Sequence, residues 1–302
     1  MKTNLSSQIS LHRVSPRYYR PENAFEKSVL TRLEKIPTDI YESVEEGANY
    51  IACEIAQTIR EKQKAGRFCV LALPGGNSPS HVYSELIRMH KEEGLSFRNV
   101  IVFNMYEYYP LTADAINSNF NALKEMLLDH VDIDKQNIFT PDGTIAKDTI
   151  FEYCRLYEQR IESFGGIDIA LLGIGRVGNI AFNEPGSSLT SRTRQKTLTT
   201  DTIIANSRFF DNDVNKVPKT SLTVGVGTVL SAREVMIIVN GHNKARALYH
   251  AVEGPVMQMW TISALQMHEK GFIVCDDAAT AELKVGTYRY FKDIEADHLD
   301  PE

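Results

Sequence analysis

Short continuous apolar runs alternate along this chain with longer segments of helical period. Residues 68–73 form one such run, and Val82, Leu86 and Met89 follow at i, i+4 and i+7 on one helical face. Ser78 is the expected N-cap of that helix, Pro79 its first residue and Gly94 its terminator. Further runs at 100–103, 167–172 and 235–239 are each followed by a loop rich in Gly, Asn or polar residues, and later by a helical pattern such as 244–252. Runs of this kind, without polar alternation, belong to strands buried on both sides. Several βα units in series therefore predict an α/β fold, a mostly parallel sheet with helices on both faces.

The pattern changes at both ends. Residues 1–36 carry Arg13, Arg17, Arg20, Lys27, Arg32 and Lys35 and precede the first amphipathic helix, expected around 44–59. They read as an extension packed on the outside of a single domain at 37–295. The last residues, 293–302, are polar and acidic and are expected to be a frayed tail or a linker, with 296–302 set apart from the domain as a polar tail. No repeat or internal boundary interrupts the domain.

Composition narrows the function classes. With 302 residues, 43% hydrophobic, the chain can bury a large core. A formal net charge of −6 gives no general attraction to nucleic acid or to an anionic membrane, so a phosphate has to be held by local groups. No apolar run approaches the ~20 residues that span a bilayer, and the first 16 residues lack the apolar core of a signal peptide, so a cytoplasmic location is expected. Cys53, Cys69, Cys154 and Cys275 show no C-x-x-C spacing and are expected to be buried free thiols.

The loops at the carboxyl ends of parallel strands converge on one crevice, so residues 74–79, 104–110, 173–185 and 241–244 are expected to face a common site. Within them Gly75, Gly76, Asn77 and Ser78 can turn backbone N–H groups toward an anion at a helix N-terminus, which suits a phosphate, although an ordinary βα turn uses the same residues. The loop lacks the Gly-Lys-Ser/Thr ending of an ATP-binding loop. Gly173, Gly175 and Gly178 form a nominal G-x-G-x-x-G string. A dinucleotide fingerprint should open a helix and be followed by an acid after a second strand, whereas here Asn183-Glu184-Pro185-Gly186 interrupts any helix and 191–196 is polar and basic without a strand.

Two stretches carry a family resemblance. Gly-Ile-Gly-Arg-Val-Gly-Asn-Ile-Ala-Phe-Asn-Glu-Pro at 173–185 and Phe-Asn-Met-Tyr-Glu-Tyr at 103–108 resemble signatures of the glucosamine-6-phosphate deaminases, with further likeness at 206–215, 222–228 and 259–263. The resemblance runs from about residue 38 to 295. It implies a Rossmann-like, doubly wound α/β domain that binds glucosamine 6-phosphate, opens the ring, isomerises it toward fructose 6-phosphate and releases ammonia, with no metal or organic cofactor. Carried over residue by residue, Gly75, Gly76, Asn77, Ser78, Arg208 and Lys244 would grip the substrate phosphate. Ser187, Arg194, Lys196 and Thr197 fall where regulated members bind an activator between subunits, and because those members are hexamers a homo-oligomer is expected.

The proton-transfer positions depart from the family pattern. Tyr106 stands where the family has an Asp general base, Asn179 where it has the His that shuttles a proton during ring opening, and Val177 where many members have an orienting carboxylate. Glu184 is the one acid retained. A phenol with a reference pKa of about 10 is a poor base at neutral pH, and an amide has no titratable group. Three readings fit: a hexosamine-phosphate binder with impaired catalysis, an enzyme that works through Glu184 and another base such as His242, and a scaffold whose pocket Tyr106 closes.

Overall fold

The structure, a computed structural model, describes residues 35–299, with side chains to Lys292. The expected basic extension thus lies outside the described residues except for Lys35 and Ile36. In chain order the elements are β1 (Thr38–Tyr41), α1 (Val44–Lys64), β2 (Cys69–Leu73), α2 (Ser80–Glu93), β3 (Val100–Asn104), β4 (Tyr106–Tyr109), α3 (Asn119–Met126), β5 (Ile138–Phe139), α4 (Ile150–Ser163), β6 (Ile169–Gly173), β7 (Arg194–Thr197), α5 (Thr200–Asn206), β8 (Thr220–Thr223), α6 (Val226–Leu230), β9 (Glu234–Val239), α7 (Ala245–Val252), β10 (Gly271–Asp276) and α8 (Val285–Leu299).

Seven strands form a parallel sheet in the order β1-β10-β9-β6-β2-β3-β5. The apolar runs at β2, β3, β6 and β9 occupy its centre, where both faces are covered. Successive side chains of β2 show this directly: Cys69, Leu71 and Leu73 join the core under α1, α2 and α3, while Val70 and Ala72 join the opposite core under α4 and α7. From β2 the chain builds outward through β3 and β5, and from β6 it builds the other way through β9 and β10. The reversal between β2 and β6 opens a crevice at their carboxyl ends, the usual ligand position in such sheets.

A second sheet walls that crevice. β4, β8 and β7 pair antiparallel, in that order, and β4 follows β3 after the single residue Met105. Period-two alternation on β4 sends Glu107 away from Tyr106 and Tyr108. The Glu107 carboxylate is fully buried and accepts from Ser118 Oγ (2.8 Å) and from the backbone N–H groups of Asn119 (3.0 Å) and Phe120 (2.9 Å), which ties the start of α3 to this strand.

Several local expectations are corrected. Helix α2 begins at Ser80 with Pro79 in the capping position and no side-chain cap, so Ser78 is not its N-cap; Gly94 does end it, in the left-handed conformation. Residues 104–110 are not all loop, because β4 lies within them, and β7 occupies a segment read as strandless. Cys69, Cys154 and Cys275 are buried, but Cys53 is exposed on the outer face of α1. Helix α8 runs through Leu299, and the last three residues of the expected tail lie outside the described residues.

Candidate functional site

A cleft of about 700 Å³ opens at the reversal point, a size that suits a small phosphorylated metabolite. Its lining includes Gly75, Gly76, Asn77, Ser78, Tyr106, Val177, Asn179, Arg208 and Lys244, so the loops after β2, β3, β6 and β9 do converge. The Tyr106 ring leaves this volume open. Glu184 and His242 are not among the lining residues.

One side of the cleft presents backbone N–H groups and two cations. Gly75 packs against Asn119, where an added Cβ would collide with the Asn119 carbonyl, so the loop can approach α3 this closely only as glycine. Gly76 takes φ 111°, and α2 starts immediately beyond. Among the described residues no protein acceptor is bonded to the N–H groups of Gly76, Asn77 and Ser78, which leaves them for a ligand at the positive end of α2. Lys244, in the turn after β9, is half-buried and donates from Nζ to the carbonyl of Ile174 (2.6 Å). Burial, with Arg176 and Arg208 nearby, pushes its ammonium down to about 8. The exposed Arg208 guanidinium stacks over Phe209 at 4.6 Å.

The other side presents a phenol, an amide and a valine. Tyr106 is half-buried beside Phe182, with ring centroids 4.8 Å apart, and its hydroxyl donates to the Gly75 carbonyl at 2.6 Å. Burial above all, and then the Glu107 charge, raise the phenol above the ordinary tyrosine range. Asn179 is buried, and its Nδ2 donates to the Ala181 carbonyl at 2.8 Å. Its backbone carbonyl accepts from Gly175 N (2.9 Å), closing a tight turn in which any side chain at 175 would strike the Asn179 amide. Val177 adds no polar group.

Glu184 lies behind the cleft, contrary to the expectation that it faces it. Its Oε2 accepts from Thr199 Oγ1 (3.1 Å), while its Oε1 is buried without a hydrogen-bond partner among the described residues. Burial raises its carboxyl, and hydrogen bonds from Thr202 and Thr199 and the charge of Lys196 act against that rise. Thr202 does line the cleft, so Glu184 sits one side chain away.

The four expected activator residues also fall outside the lining. Ser187 is buried with Oγ donating to the Glu184 carbonyl (2.7 Å), Arg194 reaches Asn183 Oδ1 (2.9 Å), and Lys196 and Thr197 follow on β7. Sequence reasoning missed several lining residues, among them the charged or titratable His81, Asp201 and Arg176. Asp201 opens α5, and Arg176 stands at the tip of the turn between Gly175 and Gly178. A lone charge inside a glycine turn was the available signal for Arg176. Among the described residues no group of His, Cys, Asp and Glu side chains could hold a metal ion, and no helix is long and apolar enough to cross a membrane.

Comparisons with known proteins agree with this architecture. The sequence profile described as glucosamine-6-phosphate isomerases/6-phosphogluconolactonase matches residues 42–273. A glucosamine-6-phosphate deaminase-like protein of Bacteroides thetaiotaomicron is 77% identical over 283 residues, 94% of this chain, but the match spans only 42% of that protein. A glucosamine-6-phosphate deaminase of Bacteroides fragilis is 62% identical over 263 residues, covering 87% of this chain and 96% of that one. The solved structure of a monomeric glucosamine-6-phosphate deaminase superposes with a TM-score of 0.77 at 36% identity, over 82% of this chain and 99% of that one. A 6-phosphogluconolactonase of Trypanosoma brucei, at 18% identity and a TM-score of 0.66 over 83% of this chain and all of that one, shares the fold.

Proposed function

Because the chain belongs to the family of glucosamine-6-phosphate isomerases and 6-phosphogluconolactonases, we propose that it binds a hexosamine 6-phosphate and turns it over poorly or not at all. The observation that carries this reading is the pairing, in one cleft, of unneutralised cations at Arg208 and Lys244 with Val177 and Asn179 at the family's proton-transfer positions. Phosphate oxygens would take the free N–H groups of residues 76–78 and the charge-assisted donors of Arg208 and Lys244. Ring opening and removal of the C2 proton need groups that exchange protons near neutral pH. Asn179 and Val177 have none. The Tyr106 hydroxyl is engaged with Gly75 and its phenol is raised away from neutrality. Glu184 is separated from the cleft by Thr202, and His242 does not line it.

An active deaminase or sugar-phosphate isomerase is the second reading, favoured by the name of the Bacteroides fragilis relative. One experiment separates the two. Glucosamine 6-phosphate should raise the melting temperature of the purified protein by an amount that grows with the logarithm of ligand concentration over Kd, while ammonia release stays at least about 10³-fold below that of an active deaminase. Ordinary turnover, of order 10 s⁻¹, would refute impairment. Absence of any shift with sugar phosphates would leave the interaction scaffold.

A further inference from the structure

The end of β6 is where the parts of the anion site meet. The Lys244 ammonium donates to the Ile174 carbonyl at 2.6 Å, and Arg176 follows Ile174 by two residues, so the two Cα atoms are at most about 7 Å apart. One residue back, a Cβ on Gly173 would stand 2.8 Å from Ser78 Cβ, so the 76–78 loop packs directly on the strand end that leads into the Arg176 turn. That turn is held in place. Gly178 N donates to Gly175 O (3.0 Å) and Gly175 N to Asn179 O (2.9 Å), an isolated bridge between Ile174 and Ile180 closes its base, and Trp260 packs on Gly178 from behind. The backbone that carries Arg176 is therefore fixed beside Lys244 and the N–H groups of the loop.

Nothing in the protein occupies the guanidinium. Arg176 is exposed, lines the cleft, and has no ion pair or hydrogen bond among the described residues. The adjacent Val177 is apolar where many family members have a carboxylate, and the Asn179 amide is spent on Ala181. After burial, the charge of Arg176 acts more strongly than that of Arg208 in lowering the Lys244 ammonium, as expected of cations that share one space. Among the described residues the three lining cations, Arg176, Arg208 and Lys244, face one lining carboxylate, Asp201. Like charges gathered this closely oppose one another until an anion comes between them, and the surplus of two positive charges equals the charge of a phosphate monoester dianion.

We infer that Arg176 is a third phosphate-binding cation, closing on the same phosphoryl group as Lys244 and Arg208. Its planar fork adds two parallel N–H donors to a group that Lys244 meets as a point charge and the 76–78 loop meets through backbone. The family resemblance assigns phosphate contacts to residues 75–78, 208 and 244 and none to 176, so the grip in this chain is stronger than the resemblance implies. Recognition then rests on the phosphoryl group more than on the sugar that carries it, and inorganic phosphate is itself a ligand. This inference rests on the sugar-phosphate reading above.

Phosphorus NMR titration at neutral pH of the wild-type chain and of Arg176→Gln, with inorganic phosphate and with glucose 6-phosphate, tests it. Arg176→Gln should weaken both ligands by the same factor, about tenfold or more, the usual worth of a charge-assisted contact. The loss should persist at high salt, because screening removes a long-range field and spares a direct contact. A loss of less than about twofold for either ligand, a loss confined to glucose 6-phosphate, or one that disappears at high salt would overturn the assignment while leaving the sugar-phosphate reading standing. If neither ligand binds the wild type, the sugar-phosphate reading fails and this inference with it.

Discussion

The two walls of the cleft are made by the same kind of loop at the same edge of the same sheet, yet they have kept different chemistry. The wall formed after β2 and β9 offers free N–H groups, a helix N-terminus and a half-buried lysine. The wall formed after β3 and β6 offers a phenol bonded to a carbonyl, an amide folded into its own turn and a valine. Anion binding depends on fixed charges and backbone geometry, which survive when a neighbouring side chain changes. Proton transfer depends on single titratable atoms, and one substitution removes it. Binding and turnover can therefore part company within one cleft without any change of fold.

The largest expected effect comes from rebuilding the poorer wall. The triple change Tyr106→Asp, Val177→Asp and Asn179→His should raise the rate of ammonia release from glucosamine 6-phosphate at least about 10²-fold over the parent chain, the lower end of what one positioned acid–base group contributes. A coupled ammonia assay that stays at the parent level would mean the two walls differ by more than these positions. Damaging the richer wall should act on affinity instead. Arg208→Ala should weaken glucose 6-phosphate binding about 10- to 100-fold by calorimetry, while Val177→Ala should change it less than about twofold. Equal effects would erase the distinction.

The pH dependence sharpens the comparison further. The Lys244 ammonium lies at about 8 in the free protein, and a bound phosphate stabilises its charged form, which raises that value in the complex. Below 8 the lysine is already charged and contributes fully. Above 8 the free protein must take up a proton to bind, so affinity should fall by up to about tenfold per pH unit until the value in the complex is reached. Proton uptake measured at alkaline pH in buffers of different ionisation enthalpy checks the sign, and proton release would contradict it. A smaller effect than that of Arg208→Ala is expected from Tyr106→Phe, which deletes the bond to Gly75 and keeps the ring against Phe182. Losing one bond worth about 1 kcal/mol should weaken phosphate binding about fivefold, with no change in the background rate of ammonia release.

The central sheet was legible because β2, β3, β6 and β9 are buried on both faces and so appear as unbroken apolar runs. The second sheet was not. Arg194-Gln195-Lys196-Thr197 on β7 has no apolar side chain to announce a strand, and β4 follows β3 so closely that the two read as strand and loop. What makes them strands is their pairing with β8, a non-local contact that no local pattern encodes. In the cleft, glycine spacing and strand ends located the loops well. They could not show that Pro185 and Gly186 turn Glu184 inward beneath Thr199, nor that Ser187 is committed to a backbone carbonyl, because burial of a polar side chain is decided by what folds over it.

The bond from Tyr106 to Gly75 also couples the two walls of the cleft. A carboxylate at position 106 is shorter than a tyrosine and, once ionised, would be a second acceptor turned toward the same carbonyl, so it cannot replace the strut. Tyr106→Asp alone would thus introduce an acid while loosening the loop at Gly75. The side chain at 106 and the shape of the Gly75 loop are therefore coupled, so the effect of an acid placed there depends on what else holds that loop.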